Sequence, residues 1–201
     1  MLRLLLFLLI FLTLNGCSSP EGTWGWYVID PSTKTGWTNI KFLIGGFYST
    51  ILLSIIAAFL SIFIGLIVAL PAMSDNKCLK LFNRVYVEFV RSIPLLPMLF
   101  WVFYGLPVIL KSMGINANID AFWGAIITLA ISDSAFTAEI YRAGMQSISK
   151  GQTEAAKTVG LNYYHTMRYV IMPQALRRIL PPLANQFIYI VKMSAFASVI
   201  G

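Results

Sequence analysis

The sequence predicts an all-α membrane protein, a polytopic bundle of helices, on three observations. Hydrophobic residues make up 58% of its 201 positions and charged residues only 11%, whereas soluble domains carry about a quarter charged residues. The apolar residues fall in long blocks between short charged loops, the distribution of a chain that crosses a bilayer repeatedly. The basic residues are unevenly shared among those loops, as orientation in a membrane requires. The net charge of +7 gathers on no single face, so a nucleic-acid partner is not expected. Cys17 and Cys78 stand far apart with no CxxC or Cys/His cluster, which argues against a disulfide framework or a metal site.

The elements follow in order. Residues 1–17 read as a targeting segment: Arg3, then an apolar run to Leu14, short of the roughly 20 residues a span needs and suited to a signal core. Leu14-Asn15-Gly16-Cys17 resembles a bacterial lipobox, with Cys17 as the lipidation candidate and Asn15 as a departure. An uncleaved, short first membrane segment is the other reading. Residues 18–41 form a polar external segment with three tryptophans, residues suited to a membrane interface. The first long span is expected over about 43–70, which holds no charge. Within it Ser54, Ala58, Ser61 and Gly65 make a stripe of small residues along which a second helix can approach closely.

Further spans are expected over about 90–110, 121–138 and 179–201. The 90–110 block contains Pro94, Pro97 and Pro107; prolines kink helices but are tolerated where neighbours satisfy the freed carbonyls. The loop after the first long span carries Lys77, Lys80 and Arg84, and the 139–178 stretch carries Arg142, Lys150, Lys157, Arg168, Arg177 and Arg178. Between these two, the 111–120 loop carries only Lys111. The positive-inside rule makes the two basic loops cytoplasmic and residues 18–41 external.

The 139–178 loop has a local logic of its own. Ser149 and Gln152 stand at capping-box spacing for a short helix. Ala155 and Ala156 favour helix and add almost no bulk, so a partner surface can approach. Gly160 suits the left-handed residue that closes such a helix. A second helical piece is expected over about 162–172, stopping at Pro173. One structural reading is a basic amphipathic helix at the membrane surface; the other is a short rigid element gripped by a partner.

Glu154-Ala155-Ala156, Gly160, Val170 and Met172-Pro173 resemble the EAA loop of ABC importer permeases: EAA, three residues, Gly, nine residues, Ile, any residue, Leu-Pro. The spacing matches throughout, with Val170 and Met172 where the family has Ile and Leu. Arg91-Ser92-Ile93-Pro94-Leu95-Leu96 and Ala138-Glu139-Ile140-Tyr141-Arg142-Ala143-Gly144 are similar to segments of the polar amino acid (histidine/glutamine/arginine) branch. So are Gly151-Gln152, Pro173-Gln174-Ala175, Leu180-Pro181-Pro182 and Asn185-Gln186-Phe187. The likeness covers about residues 44–201. Pro97 and Lys192-Met193-Ser194-Ala195-Phe196 depart from the usual pattern.

The resemblance implies a type I ABC importer permease domain over residues 42–201, lacking the last family helix. It implies transport of polar amino acids by alternating access in a bacterial inner membrane. It further implies an ATPase dimer that grips the coupling loop, a second permease chain (identical or a sister) and an external solute-binding protein. No Gly-x-x-x-x-Gly-Lys-Ser/Thr phosphate loop is present, so ATP and Mg belong to the separate ATPase and no cofactor is expected on this chain. A permease for peptides, metals or another solute, and a non-transport membrane scaffold, are the alternatives.

Two further residues stand out. Asp133 is a carboxylate inside a span, costly there and by default a functional candidate; a substrate contact and a structural pairing are both open. Lys192 in the last block is a second candidate for the substrate path. Glu139 with Arg142, and Glu88 with Arg91, are three apart and expected to pair on one helix face. His165 lacks ligand partners and is assigned no role.

Overall fold

The structure, a computed structural model, describes residues 25–74, 76–116 and 118–201. The targeting segment and Cys17 lie outside the described residues. Two units are distinguished, residues 1–49 and 50–201, with the boundary inside the first long helix. No strand occurs among the described residues.

In the first unit a 3₁₀ turn, Trp26–Ile29, leads to helix α1, Lys34–Met73. Asp30 accepts from the Ser32 N–H at 2.9 Å and the Ser32 hydroxyl at 2.7 Å, an Asx turn that starts the chain toward the helix. The Thr33 hydroxyl oxygen then accepts from the Gly36 N–H at 3.0 Å, satisfying one of the donors a helix start leaves open. Gly36 is required there by space: a Cβ would fall 2.0 Å from the Asp30 carbonyl oxygen. Helix therefore begins within the polar 18–41 segment, before the charge-free block. Forty residues make α1 about 60 Å long, twice the thickness of a hydrocarbon core.

In the second unit, α2 spans Lys77–Ser92 and is capped by Asn76, whose side chain accepts from the Cys78 N–H. It ends at Ile93, which is extended (φ −90°, ψ 120°) ahead of Pro94. The expected 90–110 span is thus broken: residues 90–92 belong to α2, and α3 runs Leu95–Ser112. A residue before proline is pushed out of the helical region by the proline ring. Helix α4 spans Ala121–Gln146, α5 Lys150–Thr158 and α6 Met172–Met193, followed by a 3₁₀ segment, Ser194–Val199.

Two π-helical turns share one cause. Trp101–Gly105 lies inside α3, two residues before Pro107, and Thr166–Ile171 leads into α6, two residues before Pro173. A proline mid-helix removes a donor and its ring presses on the carbonyl four residues back; widening the preceding turn relieves both. Helix therefore does not stop at Pro173, as the sequence suggested, but continues to Met193.

α4 is the central element, packing on α2, α3 and α6. One core cluster joins Leu53, Ala57 and Ala58 of α1 to Leu99, Ala125, Ile126, Leu129, Ile190 and Ile200. The small-residue stripe of α1 is buried: Ser54, Ala58, Ser61 and Gly65 all face inward. A Cβ on Gly65 would lie 2.7 Å from Thr137 Cγ2, so glycine sets how closely α1 approaches α4. Asn83 of α2 donates to the Val68 carbonyl at 2.7 Å, and the hydroxyls of Tyr86 and Ser134 pair at 2.8 Å.

Among the described residues, α1, α3 and α4 are long and apolar enough to cross a membrane. Together with the helical bundle they make this an all-α membrane protein. The block expected as a fourth span, 179–201, is α-helical to Met193 and 3₁₀ from Ser194 to Val199, and α6, with Arg177, Arg178, Gln186 and Lys192, is not one of those three.

Candidate functional site

The coupling-loop candidates lie on α5 and the start of α6. Ser149 occupies the N-cap of α5 in extended conformation, but its side chain makes no capping bond. The expected capping box is absent because Gln152 is engaged elsewhere: its side-chain oxygen accepts from the Gln174 amide at 3.0 Å. Gln174 also donates to the Val170 carbonyl at 2.8 Å, in the π-helical turn ahead of Pro173. One side chain thus joins α5 to the first turn of α6. This link was missed from the sequence, since 22 residues separate the two glutamines.

The far end of α5 closes as Gly160 foretells. Gly160 has φ +79°; its N–H donates to the Lys157 carbonyl and the Leu161 N–H to the Ala156 carbonyl, both at 3.0 Å. These are the paired bonds of a Schellman motif, which needs a left-handed residue at that position. Glu154 and Ala155 are exposed, while Ala156 is buried against its own protein. Val170 is half-buried and Met172 and Pro173 are exposed at the start of α6. The result is a nine-residue helix held at both ends, with an acidic and a small residue turned outward.

Two further contacts brace the segment. Arg178 donates to the Ser147 carbonyl at 2.6 Å, linking α6 to the end of α4. A Cβ on Gly144 would lie 2.2 Å from Ile179 Cγ1, so α4 and α6 cross there in direct contact. His165 stacks on Tyr169 at 5.7 Å. Glu139 and Arg142 pair as expected. Glu88 instead pairs with Arg84 at 2.7 Å, one full turn away, and Arg91 lies over the Phe136 ring at 4.9 Å. The i, i+4 geometry was open to Glu88 as well as i, i+3, and the aromatic face drew Arg91 away.

Asp133 is only 3% exposed. It accepts from the Ser61 hydroxyl at 2.5 Å, the Thr137 hydroxyl at 3.2 Å and the Gln186 side-chain amide. Ser61 and Thr137 also pair with each other at 3.0 Å. Three donors on α1, α4 and α6 therefore meet one carboxylate, as a buried acid requires. Thr137, one turn along the helix, was visible in the sequence; Gln186 was not. Beside this cluster is a cleft of about 320 Å³, lined by Asp133, Thr137, Gln186 and apolar residues of α1 and α6. Lys192 is exposed on the last turn of α6 and does not line that cleft. The structure thus does not bring the two substrate-path candidates together. Among the described residues no cluster of His, Cys, Asp and Glu could hold a metal.

Residues 61–201 match the family described as binding-protein-dependent transport system inner membrane component. The chain is similar to the probable glutamine ABC transporter permease protein GlnM of Bacillus subtilis (strain 168), 41% identical over 163 residues, covering 81% of this chain and 73% of that one. It is also similar to a chain in the crystal structure of an amino acid ABC transporter with histidines, with a TM-score of 0.71 and 41% identity over 82% of this chain and 76% of that one. A chain of the MetNI methionine ABC transporter in an inward-facing conformation shares the fold, with a TM-score of 0.64 and 24% identity over 79% of this chain and 74% of that one. The chain belongs to the family of binding-protein-dependent transport system inner membrane components.

Proposed function

We propose that this permease chain carries polar amino acids inward across the inner membrane of a bacterium, driven by a separate ATPase. The observation that carries the reading is the exposed α5 helix. It is closed by Gly160 at φ +79° and tied to α6 through Gln152 and Gln174. Glu154, Ala155, Ala156, Gly160, Val170, Met172 and Pro173 belong to the coupling loop; its exposed residues are held by a groove of the ATPase, and buried Ala156 seats the helix on this chain. ATP and Mg bind that ATPase dimer; this chain is a transport subunit and performs no hydrolysis.

Closure of the ATPase dimer displaces α5, and the displacement passes to α6 and to α4. A second permease chain, identical or a sister, completes the path, and an external solute-binding protein delivers the substrate. The relative named for glutamine, and the structural neighbour named for amino acids, support an amino acid as cargo. Asp133, beside its cleft, is the proposed partner of a substrate ammonium group, and Lys192 is proposed to face the path outside that cleft. The test is uptake by proteoliposomes holding the assembled transporter and its binding protein. ATP-dependent entry of labelled polar amino acids, but not of peptides or metal ions, is expected; entry of peptides or metals alone contradicts the substrate class.

A further inference from the structure

Helix α2 presents three distinct stripes. Asn83, Val87 and Val90 are buried against the bundle. Lys80, Arg84 and Arg91 lie on one adjacent stripe by the 3.6-residue period, with Lys77 beside them. Leu81, Phe82, Val85 and Phe89 fill the remaining face and are 57–65% exposed. An exposed apolar stripe beside a basic one is the arrangement of a helix lying at a membrane interface.

The basic stripe borders a cleft of about 440 Å³ between α2 and α4, whose charged lining is Lys80, Arg84, Glu88, Arg91, Glu139 and Arg142. Both carboxylates are engaged within their own helices, Glu88 by Arg84 and Glu139 by Arg142. Among the described residues Lys80 and Arg91 form no close ion pair; Arg91 lies over the Phe136 ring, and its charge also acts on Glu139. The cleft lining therefore carries a surplus of two positive charges, and Lys80 and Arg91 are the cations in it without a close carboxylate among the described residues.

We propose that this cleft holds the phosphate of an anionic membrane lipid, with its acyl chains along the Leu81, Phe82, Val85 and Phe89 face. A soluble anion would use the cations and leave the apolar stripe uncovered; a lipid satisfies both. The positive-inside reading sets α2 on the cytoplasmic side, where the leaflet is rich in anionic headgroups. The inference rests on that orientation and not on which solute is carried, so a parent chain that takes up amino acids but retains no anionic lipid overturns it alone.

The test is native mass spectrometry of the full chain, alone and with its ATPase, released from nanodiscs of mixed phosphatidylglycerol and phosphatidylcholine. Retention of phosphatidylglycerol over phosphatidylcholine is expected. Lys80→Gln with Arg91→Gln should weaken that retention about thirtyfold, given the attraction each of the two basic residues contributes near an anionic surface. Lys80→Arg with Arg91→Lys should keep it, and so should Lys150→Gln with Lys157→Gln, which removes the same charge from α5. Equal retention of the two lipids, or an unchanged Lys80/Arg91 variant, overturns the proposal. Binding of inorganic phosphate by a chain that retains no lipid also overturns it, in favour of a soluble anion.

Discussion

The side-chain amide of Gln174 donates to the side-chain oxygen of Gln152 at 3.0 Å, and to the Val170 carbonyl at 2.8 Å. It lies where α5 meets the π-helical turn that admits Pro173. A force applied to α5 by an ATPase therefore has a polar route into α6, in addition to the peptide chain between them.

Removing that route should loosen coupling more than it loosens the fold. Each neutral hydrogen bond contributes about 1 kcal/mol, so Gln152→Ala and Gln174→Ala should each leave the protein folded and ATP hydrolysis measurable. Uptake per ATP hydrolysed is expected to fall in both, and the double variant should be no worse than the more impaired single one. Additive losses would show that the two glutamines act separately.

Asp133 joins three helices, and its variants should separate shape from charge. Asp133→Ala leaves the Gln186 amide without its acceptor, while Ser61 and Thr137 retain each other. A bond to a charged group is worth about 1.5–3 kcal/mol, so a lowered unfolding midpoint in detergent is expected. Asp133→Asn keeps the volume and should lose less stability. If Asp133 meets the substrate, Asp133→Asn should also shift uptake away from cationic amino acids; an unchanged substrate ranking assigns the residue to structure alone.

The crossing of α4 and α6 should be intolerant of one methyl group. Gly144→Ala drives a Cβ into Ile179, and overpacking of this kind costs about 1–3 kcal/mol. The double variant Gly144→Ala with Ile179→Ala should recover part of the loss in thermal unfolding. No recovery would mean that Gly144 is required for a reason other than this contact.

Much of this was legible in the sequence because it depends on local signals. Hydropathy located the apolar cores of α1, α3 and α4, although the basic stretch after α1, read as a loop, is helix α2; the spacing of small residues located the α1 face that meets α4; Gly160 announced its own backbone geometry. The departures arise where one local rule met a stronger neighbour. Pro94 split the second block because Ile93 could not stay helical, while Pro173, expected to end a helix, was absorbed by a π turn. Gln152 left its capping role for Gln174, and Gln186 reached Asp133 across 53 positions. Such partnerships depend on how helices cross, which no spacing along one helix encodes.

The central claim is that α5 is the surface an ATPase grips, and capture of the cognate ABC ATPase by the detergent-solubilised chain tests it most directly. The parent should retain the ATPase, and Gly160→Asn should retain most of it, since asparagine tolerates the left-handed region. Gly160→Val should lose it, because a β-branched residue at positive φ is strained. A correctly inserted parent that holds no ATPase, or a Gly160→Val chain that holds it equally well, would contradict the account.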